Sequence, residues 1–182
     1  MSKPSQVTVL VEDRLQERFV LRHLKKQLKC GNHAVRVLPL RSGKGSGEQW
    51  VRQRYAEAVA EYRWRATHAR TALVVAIDAD KYTVEHRTQQ LRQCLAEAGA
   101  PTRTDDERIA HLVPKWSIET WILCLNGNDV DEETDYSGEH GIDQEMTTAA
   151  ETFYDWSRPN AAPPAYCVDS LRTAIPEVRW LE

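Results

Sequence analysis

The chain has 182 residues, 41% of them hydrophobic and 28% charged, with a formal net charge of -3. That is enough for one domain with a real core, and no run of eighteen apolar residues offers a membrane span. Cys30, Cys94, Cys124 and Cys167 are widely scattered, which argues against a zinc site or a disulfide framework and suits a reducing cytosol. The first residues, Met1-Ser-Lys-Pro-Ser5, lack an apolar stretch, so no signal peptide is expected and the expected location is cytoplasmic.

Charge is divided unevenly. Residues 1–125 hold 21 Lys and Arg against 14 Asp and Glu, a balance of +7, whereas residues 126–182 hold 3 against 13, a balance of -10. A basic body suits a polyanion, and an acidic tail repels one, docks a basic partner or simply aids solubility. The same boundary divides the expected organisation into an α/β domain, 1–125, and an acidic loop with C-terminal helices, 126–182, packing back on the sheet.

Val7-Thr-Val-Leu-Val11 reads as a first buried strand, ended by Glu12 and Asp13. Leu15, Phe19, Val20, Leu24 and Leu28 then recur at helical spacing, and Gly31-Asn32 is a stop signal. Ala34 to Leu40 is a second strand, so this is a β-α-β unit and a parallel sheet follows. Arg41-Ser-Gly-Lys-Gly-Ser-Gly47 lacks the spacing of a P-loop and reads as a glycine-rich connection whose backbone N–H groups are also able to meet a phosphate. A long helix is expected from Glu48 to about Ala66, with Val51, Tyr55, Ala58, Val59 and Tyr62 on one face.

Ala72-Leu-Val-Val-Ala-Ile77 is the most apolar strand candidate and runs into Asp78-Ala-Asp80. Side chains two apart on extended backbone point the same way, so both carboxylates are expected to face one point. There they repel unless a proton or cation joins them, and hard oxygen ligands suit Mg²⁺ or Mn²⁺. Helix capping or simple solvation is the competing explanation. Thr83 is a candidate N-cap for a helix that runs to Gly99 and Pro101. Ile109 to Val113 is a fourth strand, and Ser117 a cap for the apolar stripe Ile118, Trp121, Ile122 and Leu125. Glu119, in the first turn of that helix, is favoured by the helix dipole and is also placed to lean over the same strand-end rim. Gly127 to Glu145 reads as an acidic loop or partly disordered stretch, Met146 to Trp156 as a helix, Arg158 to Pro164 as an extended connector, and Val168 to Leu181 as a helix broken at Pro176 that packs Leu171 and Trp180 on the sheet.

The expected fold is thus α/β, a Rossmann-like parallel sheet of about four strands flanked by helices, with a small C-terminal helical appendage. Glu12, the Asp78/Asp80 pair and Glu119 fall at three strand ends. This arrangement resembles the TOPRIM superfamily of topoisomerases, primases and nucleases. Val9-Leu-Val-Glu12 and Val75-Ala-Ile-Asp-Ala-Asp80 match its glutamate and Asp-x-Asp signatures. Pro114-Lys-Trp-Ser-Ile-Glu-Thr-Trp-Ile122 and Ser170 to Arg179 look like segments of small stand-alone bacterial members.

The resemblance implies a Mg²⁺- or Mn²⁺-dependent nuclease. Asp78 and Asp80 hold the ion, Glu12 serves as general base or shares a metal, Glu119 is a further ligand or orients water, and Lys115 or Lys81 stabilises developing charge. DNA or RNA is the expected partner, and a partner ATPase and a role in anti-phage defence belong to the same implication. Two positions depart from the family pattern: Asp13 stands where glycine is common, and Gln16 where nuclease branches place a second acid. They leave a single-metal or catalytically silent binding subunit as an alternative. A receiver-like phosphoacceptor domain, with Asp78 as acceptor and Lys115 as its lysine, is the rival from another class.

Overall fold

The computed structural model describes residues 3–28, 34–40 and 46–179. The Gly31-Asn32 stop, the glycine-rich stretch 41–45 and the packing of Trp180 lie outside the described residues.

Among the described residues four strands, β1 (Gln6–Leu10), β2 (Val35–Val37), β3 (Thr71–Ala76) and β4 (Ile109–Leu112), form one sheet in the order β2-β1-β3-β4 with every pairing parallel. All six residues of β3 are buried, as befits a central strand covered on both faces. Alternation sorts the strand residues. Val7, Val9, Ala72, Val74, Ala110 and Leu112 join one apolar cluster, and Leu10, Leu73, Val75 and Ile109 join the other.

The described residues also form six helices: α1 (Arg14–Leu28), α2 (Gly47–Ala66), α3 (Val84–Glu97), α4 (Ile118–Leu125), α5 (Ile142–Ser157) and α6 (Asp169–Arg179). Helices α1, α4, α5 and α6 contribute to the first cluster, α2 and α3 to the second. The chain runs from β1 outward to β2 and then returns across β1 to β3. Strand order therefore reverses between β1 and β3, which is where such sheets open a crevice at their carboxyl ends.

The acidic C-terminal third shares the first cluster through Ile142, Met146, Phe153 and Leu171. Helix α5 packs on α1 and α4, and α6 packs on β4. β4 is an edge strand whose outward N–H groups need partners. Glu177 Oε2 accepts from His111 N at 3.0 Å, and Ser170 Oγ accepts from Lys115 N at 3.2 Å, so α6 covers that edge. Pro176 does not break α6, contrary to expectation. Its ring forfeits one helical hydrogen bond, but Ile175 and Val178 beside it are 1% exposed, and their packing holds the helix through the proline. No helix among the described residues is long and apolar enough to cross a membrane.

One buried residue gives this core a pH dependence. His23 lies 4.6 Å from the Phe153 ring, centroid to centroid, and neither ring nitrogen has a partner of good hydrogen-bond geometry among the described residues. Burial lowers its pKa from 6.5 to about 4, with Gln27 and the backbone of Ala150 offsetting only part of the effect. Between those values the unfolded chain takes up a proton that the folded chain refuses, so stability falls as pH falls through the window. His111, lowered by burial to about 3, acts in the same sense. Urea unfolding at about pH 7 and about pH 5 should show His23→Leu losing less stability on acidification than wild type. An unchanged difference between the two pH values would place the acid sensitivity elsewhere.

Candidate functional site

Glu12 and Asp78 follow the two strands that flank the reversal. Asp78 is 7% exposed, and its N–H donates to Glu12 Oε2 at 3.3 Å, so the end of β3 is fastened to the Glu12 side chain. Gln16 links the two acids. Its Nε2 donates to Asp78 Oδ1 at 2.8 Å and, at 3.4 Å, to Glu12 Oε2, while its Oε1 accepts from Glu12 N at 3.0 Å. Asp13 Oδ1 accepts from Gln16 N at 2.9 Å, which makes Asp13 the cap of α1. Asp13 and Gln16 are therefore one local unit: Asp13 starts the helix that aims Gln16 between the carboxylates.

Burial and neighbouring negative charge both resist ionisation here. Burial, with smaller contributions from Asp80 and Asp13, pushes the Glu12 carboxyl up to about 8 despite the hydrogen bond from Asp78 N. Burial and then the charge of Glu12 raise Asp78 well above the usual carboxylate range, against the pull of Gln16. Glu12 Oε1 is buried with no hydrogen-bond partner among the described residues. An orphaned carboxylate oxygen beside a second carboxylate calls for a proton or a cation.

Asp78 and Asp80 both line one open cleft, but strand alternation is not what brings them there. Alternation holds only while the backbone stays extended, and Asp80 leaves it with φ 52°, forming an isolated antiparallel bridge to Trp116, itself at φ 63°. The Asp80 carboxylate accepts from Arg87 Nη2 at 3.1 Å, whereas Asp78 accepts from Gln16. Burial raises the Asp80 pKa more than Arg87 lowers it. Among the described residues no three His, Cys, Asp or Glu side chains are assembled as a metal-binding group. The all-oxygen donor set and the orphaned oxygen suit a hard divalent cation at Glu12 and Asp78, and Asp80 has Oδ2 engaged by Arg87.

Arg87 has no side-chain exposure. It donates to Asp78 O at 2.8 Å, to Glu48 Oε1 at 2.7 Å and to Gln90 Oε1 at 2.7 Å, besides Asp80. Glu48 stands in the first turn of α2, where burial alone would raise its pKa but Arg87 and Arg52 outweigh it and hold it low. That helix approaches closely: a Cβ on Gly47 would lie 2.8 Å from Glu12 O and 2.9 Å from Glu12 Cβ, so only glycine fits. The N-terminus of α2, capped by Ser46, thus abuts Glu12 and sets a positive dipole end beside the acids.

Lys115 Nζ donates to the carbonyls of Asp80 and Tyr82, each at 2.8 Å, so it braces the loop after β3. Glu119 meets its expectation of position: it lines, with Asp13, Glu48, Asp78 and Asp80, an open cleft of about 560 Å³. Lys81 stands exposed at the rim of this cleft. Ser117 precedes α4 as expected, but its hydroxyl makes no cap hydrogen bond; it is 6% exposed, lines the cleft and has no partner among the described residues. The acidic stretch is not loose either. Glu132 O accepts from Trp116 Nε1 at 3.1 Å and Glu132 Oε1 from Ser170 N at 2.9 Å, and Asp135 with Ser137 joins the cleft wall.

Glu48, Arg87 and Gly47 were not singled out for the site by sequence reasoning. The glycine-rich stretch was a signal for Gly47. Arg87 gave none, because a lone arginine on an amphipathic helix reads as solvated. No family model matches the chain, and no curated protein and no solved structure matches it.

Proposed function

We propose that this protein is a divalent-cation-dependent phosphodiesterase acting on nucleic acid. The observation that carries the proposal is the Glu12–Asp78 pair: two acids held together at the strand reversal, both with raised pKa, one oxygen orphaned, and an open cleft that Asp78 lines. Glu12 and Asp78 would hold Mg²⁺ or Mn²⁺, with Asp80 and Glu119 as further oxygen donors. Such an ion, when bound, polarises a phosphodiester and lowers the pKa of water.

The chain's own residues supply the rest. Gln16 keeps the pair at fixed separation, and Glu12, when not ligating, accepts a proton from an attacking water. Lys81, at the rim, meets the phosphate backbone of a nucleic acid, as do the arginines of the basic body. A second reading, a binding subunit without catalysis, is favoured by the neutral Gln16 between the acids and by the absence, among the described residues, of an assembled three-acid group. The receiver-like reading is weakened by Lys115, which is tied to two backbone carbonyls.

Purified protein incubated with mixed DNA and RNA should cleave with Mg²⁺ or Mn²⁺ and not with EDTA. Cleavage should also follow pH. Below about 8 Glu12 holds a proton that a cation must displace, so metal affinity should weaken by about tenfold per pH unit as pH falls. A metal requirement that does not change with pH would contradict the Glu12 assignment. Nucleic-acid binding without cleavage under any of these ions would favour the silent subunit.

A further inference from the structure

A second cavity, of about 210 Å³, lies at the outer edge of β4 between α3 and α6. Hydrogen-bond accounting around it starts at His111, which is 7% exposed. Arg103 Nη1 lies 3.2 Å from His111 Nδ1, and a guanidinium only donates, so Nδ1 is the acceptor. Burial first, then the charges of Arg103 and Arg92, keep the ring neutral. Its one proton therefore sits on Nε2, which donates to Tyr55 Oη at 2.9 Å. The Tyr55 hydroxyl hydrogen is left over, and Tyr55 is 1% exposed with no acceptor for it among the described residues.

Ser170 repeats the pattern. Its Oγ accepts from Trp121 Nε1 at 2.7 Å and from Lys115 N at 3.2 Å, and its own hydrogen has no acceptor among the described residues. Both hydroxyls belong to residues of the cavity wall. Arg103 is neutralised there by Glu177, at 2.7 and 3.2 Å, and Glu177 also accepts from His111 N. Arg92, on the exposed side of α3, lines the same wall and has no ion pair among the described residues. Of the two carboxylates of the wall, Glu177 is bonded and Asp105, which is exposed, has no hydrogen bond or ion pair among the described residues. Two buried hydroxyl donors without acceptors cost free energy unless something accepts from them.

We infer that this cavity binds a small molecule through a carboxylate or phosphate group, which accepts from the Tyr55 and Ser170 hydroxyls and faces the Arg92 guanidinium. The volume equals about seven waters at ~30 Å³ each, room for a few carbons beyond the anionic group. Through Ser170 the site is one hydrogen bond from Lys115, whose ammonium braces Asp80 and Tyr82.

The test uses the full chain in EDTA, titrated calorimetrically with inorganic phosphate and, separately, with acetate, at ionic strength held with chloride. Binding of either probe is expected, the tighter one naming the anion class. Tyr55→Phe, which keeps the ring, and Arg92→Ala, on an exposed side chain, should each weaken it by about tenfold, the loss of one hydrogen bond to a charged group. Asp78→Asn should leave it unchanged. Absence of binding by both probes, equal affinity in both variants, or loss of binding in Asp78→Asn would each overturn the assignment.

Discussion

Arg87→Met is expected to destabilise the protein by about 3–5 kcal/mol, the range for removing one partner of a buried ion pair. The guanidinium is fully enclosed and makes four hydrogen bonds, to Asp78 O, Glu48, Asp80 and Gln90. Methionine fills the volume but leaves Glu48 without its nearest cation and the Asp78 carbonyl without a donor. Asp80, with 56% side-chain exposure, recovers solvation and contributes little to the loss. Glu48, with 17% exposure, does not. Adding Glu48→Gln should therefore restore part of the stability, because the second change removes a charge that Arg52 alone then compensates. Urea unfolding measures both variants. A loss under about 1 kcal/mol would mean that these charges are solvated and that Arg87 is not an internal cation of the site.

Asp78→Asn is expected to act in two opposite directions. Without metal, the variant should melt higher than wild type, because it removes one of two adjoining acids. The sign follows from the raised pKa values. Folding holds a proton on the Glu12–Asp78 pair where the unfolded chain would ionise both acids, so stability is present at low pH and is lost as pH rises, for Glu12 from 4.5 through about 8. The gain from Asp78→Asn should then be larger near pH 8 than near pH 5, at about which the penalty has barely accrued. With Mg²⁺ or Mn²⁺, cleavage should fall to about one per cent of wild type or less, since even outer partners of metal ligands cost 10–100-fold. Nucleic-acid affinity should persist, because it comes from Lys and Arg contacts to phosphates. A variant that melts lower at every pH would show that Asp78 is held by favourable bonds alone.

The layered fold was legible in the sequence because its signals are local and redundant. The four apolar runs, the helical spacing from Leu15 to Leu28 and the Thr83 cap, whose hydroxyl accepts from His86 N at 3.1 Å, each report one element independently. Glu12, Asp78 and Glu119 were legible for the same reason: strand ends fix where they stand. What lay beyond the sequence depends on contacts distant along the chain. The turn of Asp80 toward Arg87 is set by a bridge to Trp116, and Gly47 matters only because α2 comes back over Glu12. Gln16 looked like a missing acid, yet its amide supplies the donor that two repelling carboxylates require. Pro176 stays helical because burial on both sides outweighs its missing N–H, a balance that propensity does not contain.

The central claim is that Glu12 and Asp78 share a proton that a divalent cation replaces. Calorimetric titration with Mn²⁺ at about neutral pH, in two buffers of different ionisation enthalpy, counts protons released on binding. The account predicts binding with release of about one proton per ion, falling away as the pH passes the Glu12 value near 8, and loss of binding in Asp78→Asn. Binding without proton release and untouched by Asp78→Asn, or no binding at millimolar Mn²⁺, would contradict it.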